Sequence, residues 1–313
     1  MPHDGKRPSG ASIQALATAT GNMRGILAMI AAMASFTCGD TLMKLASDKL
    51  PTGELVFLRG AFITLMVLAA LVATGAIRQM HRVFIAPIGI RAAGDVGGAF
   101  FFQSALARMP LADLMSVNQL NPMMITAASA VFLKEPIGWR RWTATIAGLC
   151  GVLLIIRPGT SAFTWWALVG FLAVLSSTVR DLATRRIDPT IPTLAVLVCS
   201  SAATTAWGLF MSLFESWSAP TLWMLAILLA ASVFSMIGQL CIIIAMRSGE
   251  ISVVAPFRYS LMVFAILMGF LVWGHLPDAI GFLGMAIVVG AGLYTFHREQ
   301  VRRRPVSVAS HDR

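Results

Sequence analysis

Apolar residues run along this chain in long blocks, separated by short polar stretches that hold most of the prolines. Ten blocks can be marked, at roughly 25–46, 53–75, 88–108, 111–132, 139–157, 163–184, 191–213, 221–246, 251–273 and 277–296. Each is near the length of about 20 residues that lets a helix cross a hydrocarbon core. The breaks fall mostly at Pro51, Pro87, Pro110, Pro136, Pro158-Gly159, Pro189 with Pro192, Pro220, Gly249 and Pro277. Proline offers no amide proton and glycine loosens the backbone, so such residues punctuate helices. The pattern predicts an all-α membrane protein with ten transmembrane helices. Several connections span only a few residues, which forces neighbouring helices antiparallel.

Composition supports that reading and removes others. Of 313 residues, 57 % are hydrophobic and 12 % charged, and the mean hydropathy is +0.78. Soluble domains carry about 25 % charged residues. Ten helices leave no length for a soluble catalytic domain, and the apolar content excludes disorder along most of the chain. Cys38, Cys150, Cys199 and Cys241 lie inside apolar blocks without paired spacing, so neither a disulfide nor a zinc site is expected. No apolar stretch precedes Arg24, so a cleaved signal peptide is not expected either.

The net charge of +10 is spread between the blocks. Nucleic-acid binding needs basic residues gathered on one face or tail, and that gathering is missing. With both termini on the cytoplasmic side, eighteen Lys/Arg fall on that side and four on the other. Arg59 and Arg258 lie within helices. This asymmetry fits the positive-inside rule, and nine or eleven helices would scramble it.

The halves resemble each other at an offset near 140 residues. Asp40-x3-Lys44 followed by Pro51 matches Asp181-x3-Arg185 followed by Pro192. Arg108 and Arg247 open the fourth and ninth blocks. The following helices are Gly-rich, with Gly148 and Gly151 in one half and Gly281, Gly284, Gly290 and Gly292 in the other. A repeat of five helices is odd in number, so its second copy enters the membrane from the opposite side. Inverted repeats characterise secondary transporters, whose two access states exchange the conformations of the halves. The expected organisation is a cytoplasmic tail at 1–22, repeats at 23–158 and 159–297, and a second tail at 298–313.

The first half contains Asn121-Pro122, Phe132-Leu133-Lys134-Glu135-Pro136 and Gly148-x2-Gly151, echoed by Ala255-Pro256-Phe257-Arg258-Tyr259 and Trp273-Gly274 in the second. On these motifs the chain resembles the drug/metabolite transporter superfamily, specifically its EamA-type ten-helix members. The resemblance covers roughly 25–297. His275 stands where the family usually has Glu. The Pro-Phe-Arg-Tyr stretch is weakly similar to bacterial riboflavin and S-adenosylmethionine uptake members.

A charge at mid-membrane costs at least about 2.5–3.5 kcal/mol, so each one needs a partner or a watery path. Asp40 and Lys44, four residues apart, share a face about 24 Å along the first helix and suit an outer gate or an interfacial ion pair. Asp181 and Arg185, with Arg180 and Arg186, suit an inner gate or a simple positive-inside cluster. Arg59 can line the pathway or pair with Asp40. Arg91 and Asp95 can pair, or Asp95 can carry a proton or bind a cationic group. Asn118, Gln119 and Asn121 precede Pro122, and their amides suit either a polar substrate or helix–helix bonding. Arg258 beside Tyr259 can hold a carboxylate, a phosphate or a conjugated ring. Gln103 and Gln239 can add hydrogen bonds.

These residues predict a secondary transporter of the cytoplasmic membrane working by alternating access, with no cofactor. Riboflavin uptake is the first substrate reading, and S-adenosylmethionine transport or export of amino acids or drugs is the alternative. A membrane-embedded enzyme or a structural subunit is the competing class. No HExxH, GxSxG, Walker A or CxxC motif occurs, so the chain is not expected to be an enzyme. The expected partners are a small-molecule substrate and the lipid bilayer, without nucleic acid, and a homodimer is compatible with the sequence.

Overall fold

The computed structural model describes residues 10–132, 139–157, 164–188, 190–248 and 251–303. Leu133 to Pro136 of the motif above, and the breaks at Pro158-Gly159, Pro189 and Gly249, lie outside them. Among the described residues the chain is helical and forms no strand. The helices are α1 (Gly10–Ser47), α2 (Thr52–Ala73), α3 (Ala86–Leu106), α4 (Leu111–Asn118), α5 (Asn121–Phe132) and α6 (Trp139–Ile156). They continue as α7 (Trp165–Thr184), α8 (Thr193–Ser212), α9 (Leu222–Ser248), α10 (Ile251–Val254), α11 (Ser260–Trp273) and α12 (Ala279–Arg303).

Six segments are long and apolar enough to cross a membrane by themselves: Thr20–Ser47 of α1, α2, α7, α8, Leu222–Met246 of α9, and Ala255–Trp273. A 3-10 helix at Ala76–Val83 precedes α3 at an angle of 93°, and the two make a seventh span if taken together. α6 and α12 contain shorter apolar stretches, Trp142–Ile156 and Ala279–Tyr294.

Four elements differ from the hydropathy pattern. Residues 10–22, expected as a disordered tail, continue α1, and α12 reaches Arg303. Once a helix is nucleated each further residue adds a bond, and no proline lies between Pro8 and Pro51 to stop it. The fourth and ninth blocks, expected as single helices, are each interrupted. α4 ends at Asn118 and α5 starts at Asn121, just ahead of Pro122. A 3-10 turn at Ala255–Tyr259, containing Pro256, separates α10 from α11.

The tightest helix pairings join the two halves of the chain: α1 with α9, α2 with α8, α3 with α7, and α6 with α12. Glycines set several of these approaches. A Cβ on Gly151 would lie 2.9 Å from the carbonyl oxygen of Gly284, and one on Gly284 would lie 2.7 Å from that of Gly151. Gly60 and Gly208 do the same for α2 and α8, against Thr205 and Phe57. Small residues let backbones touch where lipid supplies no hydrophobic drive for association. The buried interior is rich in methionine, with Met29, Met33, Met43, Met115 and Met123 among Leu106, Leu111, Leu114 and Leu120. Flexible thioethers fill the irregular space around interrupted helices. Trp139, Trp165 and Trp223 are exposed, as expected of lipid-facing or interfacial anchors.

Candidate functional site

The polar cluster begins with the contact between α3 and α7. A Cβ on Gly94 would meet the amide nitrogen of Arg180 at 2.7 Å and the carbonyl oxygen of Ser176 at 2.9 Å. This close approach sets the neighbouring Asp95 beside Arg180, with 3.5 Å between Oδ1 and Nη1. Arg91, one turn earlier on α3, lies 3.5 Å from the other oxygen of Asp95 and donates to Thr184 on α7. Arg180 also donates from Nε to Asp181 at 2.8 Å.

The interrupted fourth block supplies the next member. Asn121 opens α5, and its amide donates to Asp181 at 3.0 Å. Its carbonyl oxygen is 3.3 Å from the Thr178 hydroxyl, which also bonds the carbonyl of Val174. One turn further along, Arg185 donates to Ser129 of α5 at 3.1 Å.

The interrupted ninth block supplies the last. Arg258 lies in the 3-10 turn, which packs against α1 and α12, and its charged neighbours are Asp181 and Arg180. Its side chain is exposed, and among the described residues it makes neither an ion pair nor a hydrogen bond. Tyr259 anchors this turn, because its hydroxyl lies where a Cβ on Gly292 of α12 would project. The guanidinium groups of Arg91, Arg180, Arg185 and Arg258 and the carboxylates of Asp95 and Asp181 therefore gather where two interrupted helices adjoin α3 and α7.

A second set lies elsewhere. Asp40 on α1 and Arg59 on α2 are 4.0 Å apart, and Arg59 donates to Ser235 of α9 at 3.0 Å. Lys44 does not pair with Asp40, although both sit on one face of α1. Its ammonium donates to the carbonyl oxygens of Leu106 and Met109, at 2.7 and 2.6 Å, and lies 5.6 Å from the Trp273 ring centre. Lys44 thus caps the end of α3, roughly 16 Å along that helix from Asp95 by its rise per residue.

The structure brings Asp95, Asn121, Arg180, Asp181, Arg258 and Tyr259 into one region. Asp40 and Arg59 pair separately, and Lys44 stands at a helix end. Asn118 is half-buried and Gln239 is exposed on α9. Gln103 and Gln119 are only 2 % and 3 % exposed, so in this state neither offers an amide to a solute. The amide of Gln103 has no hydrogen-bond partner among the described residues. Thr178 and Ser235 were not singled out from the sequence. Thr178 precedes Asp181 by three residues on one helical face, a spacing that signals the association.

Interrupted helices that carry polar side chains into a bundle are a recurring feature of membrane carriers. The comparisons agree. Residues 23–157 match the EamA-like transporter family. The pseudopaline exporter of Pseudomonas aeruginosa is 27 % identical over 85 % of this chain and 94 % of its own length. The riboflavin transporter of Vibrio cholerae is 27 % identical over 85 % and 91 %. The S-adenosylmethionine uptake transporter of Rickettsia bellii is 22 % identical over 88 % and 94 %. A solved crystal structure shares the fold with a TM-score of 0.62 at 20 % identity, covering 91 % of this chain and 99 % of that one. The first half of the chain is thus similar to the EamA-like transporter family, and most of its length is similar to proteins named as membrane transporters.

Proposed function

We propose that the protein carries a small polar metabolite across the cytoplasmic membrane by alternating access. In this reading ten spans form two inverted five-helix repeats, 23–158 and 159–297, with both termini cytoplasmic. The carrying observation is that the two interrupted blocks, fourth in each half, both contribute to one charged cluster: Asn121 from the first and Arg258 from the second. Matched interruptions in the two halves are the features from which carriers build substrate sites. The helix pairings support the same symmetry. Exchanging each helix for its counterpart in the other half turns the α1–α9 pair into α7–α3 and leaves α2–α8 and α6–α12 as they are.

Riboflavin is the first substrate to test, because relatives named as riboflavin transporters cover most of the chain. S-adenosylmethionine uptake is the alternative. Export, which the sequence suggests for amino acids or drugs, gains support from the relative named as a pseudopaline exporter. The experiment is uptake of labelled riboflavin by cells unable to make it, with and without the protein. Saturable, protein-dependent uptake is the expected result. No uptake by cells with the protein correctly inserted refutes the riboflavin reading and directs the assay to S-adenosylmethionine and to efflux. Asp95 or Asp40 is proposed to carry the coupling proton, and uphill transport that survives Asp95→Asn removes Asp95 from that role.

A further inference from the structure

The connection between α2 and α3 carries a charge that the fold leaves unused. Gly75, at φ +69°, ends α2 in the left-handed region and turns the chain into the 3-10 helix at Ala76–Val83. That helix meets α3 at 93°. α3 has 21 residues, about 31 Å by rise per residue, so it needs no extension to cross a hydrocarbon core of about 30 Å. With α3 crossing, the 3-10 helix runs along the membrane plane at the end of the α2 span.

Side chains three residues apart eclipse on a 3-10 helix. Ile77, Met80 and Val83 therefore form one edge, on which Val83 is buried with Ile88, Ile191 and Ala195 and Met80 packs beside them. Arg82, on a second edge, donates to Thr190 in the connection ahead of α8, with Asp188 nearby. Arg78 and His81 form the third edge and are exposed. The Arg78 guanidinium has neither an ion pair nor a hydrogen bond among the described residues, and the chain has no acidic residue between Glu54 and Asp95. The same segment exposes large apolar side chains. Phe84 is 87 % exposed, and Ile77, Ile85 and Ile90 are exposed with it.

We propose that this segment is an interfacial anchor in which Arg78 holds the phosphate of an anionic phospholipid. A basic, amphipathic helix in the membrane plane places its charges at the headgroups and its apolar side chains at the acyl boundary. Phe84 and Ile85 fix that depth. Charge selects the lipid: a zwitterionic headgroup brings its own compensating ammonium, whereas an anionic one brings a net negative charge to an unpaired cation. The apolar side chains select a lipid over a free phosphate, which would leave Phe84 in water. A basic residue near the membrane surface contributes about a fivefold preference for anionic lipid.

The test uses the full-length protein in vesicles of equimolar phosphatidylglycerol and phosphatidylcholine. Ile77→benzoylphenylalanine, beside Arg78, and Phe84→benzoylphenylalanine each place a photo-crosslinker in the segment, and mass spectrometry reads which lipid is attached. Leu222→benzoylphenylalanine, exposed at the start of α9, is the reference. Both segment positions are expected to capture lipid. Phosphatidylglycerol should be enriched about fivefold at position 77 over the reference, and Arg78→Gln should remove that enrichment. Arg78→Lys, which keeps the charge, should retain it, and soluble glycerol 3-phosphate equimolar with the lipid should leave it unchanged. Absence of lipid adducts at either position overturns the proposal, as does enrichment no greater than the reference or unaffected by Arg78→Gln. Equal losses in Arg78→Gln and Arg78→Lys, or enrichment abolished by glycerol 3-phosphate, overturn it too. None of these readings involves solute flux, so they stand apart from the transporter reading.

Discussion

Arg180 should be the costliest single charge to remove. It sits 3.5 Å from Asp95 on α3 and 2.8 Å from Asp181 on its own helix. At 3.5 Å and an effective dielectric constant near 20, a pair of unit charges attracts by about 5 kcal/mol. Two features reduce the net coupling. The side chains of Arg180 and Asp95 are 30 % and 18 % exposed, and Arg91 competes for the same carboxylate at 3.5 Å. A coupling of about 1–2 kcal/mol remains for the Arg180–Asp95 pair. Arg180→Gln alone should cost about 3 kcal/mol, because it also strips Asp181 of its cation. The assay is a double-mutant cycle of Arg180→Gln and Asp95→Asn, read by reversible unfolding of the full chain in mixed micelles. The double variant should be less destabilised than the sum of the two single variants by the coupling above. Additivity to within about 0.5 kcal/mol would refute the pairing.

Four further outcomes follow from the packing and the loops. Gly208→Ala drives a Cβ into the α2 backbone at Phe57 and Val56, and should cost about 1–3 kcal/mol in the same unfolding assay. Gly290→Ala, which meets nothing within 4 Å, should instead gain up to about 1 kcal/mol. Lys44→Met keeps the apolar stem but removes the donor to the carbonyls of Leu106 and Met109, and should cost about 2–4 kcal/mol. In the loop before α12, the hydrogen bond from Arg157, aided by the Gly281 amide, holds the Asp278 carboxyl below the usual aspartate range. Its contribution is therefore present above the ordinary aspartate pKa and lost as pH falls through the lowered value. The stability difference between wild type and Asp278→Asn should be constant near neutrality and vanish in strong acid, and a difference that persists there would refute the link.

The symmetry and the ion pairs stood at different depths in the chain. Gly151 and Gly284 could be marked as members of matching Gly-rich helices, yet only folding sets their backbones against each other. Arg91–Asp95 is a local i,i+4 pair and so was readable as a possibility. Its sharing with Arg180 crosses from α3 to α7, and no periodicity within either helix reports it. The Asp40–Lys44 ion pair, one of two readings of that spacing, does not form, for the same reason. Helical spacing put both side chains on one face, but Arg59 from α2 and the open carbonyls at the end of α3 competed for them and won.

Hydropathy by itself determined that this is a helical membrane protein, because each apolar block must satisfy its own backbone hydrogen bonds within lipid. The family motifs and the Pro-Phe-Arg-Tyr stretch were likewise in the linear order of residues. The tertiary structure alone decided which polar groups meet. It buried Gln103 and Gln119, joined Asn121 to Asp181, and left Arg258 exposed beside an already satisfied carboxylate. Burial along a helix is periodic and leaves its mark in sequence. A charged cluster assembled from four separated segments leaves none, since each segment carries only its own share.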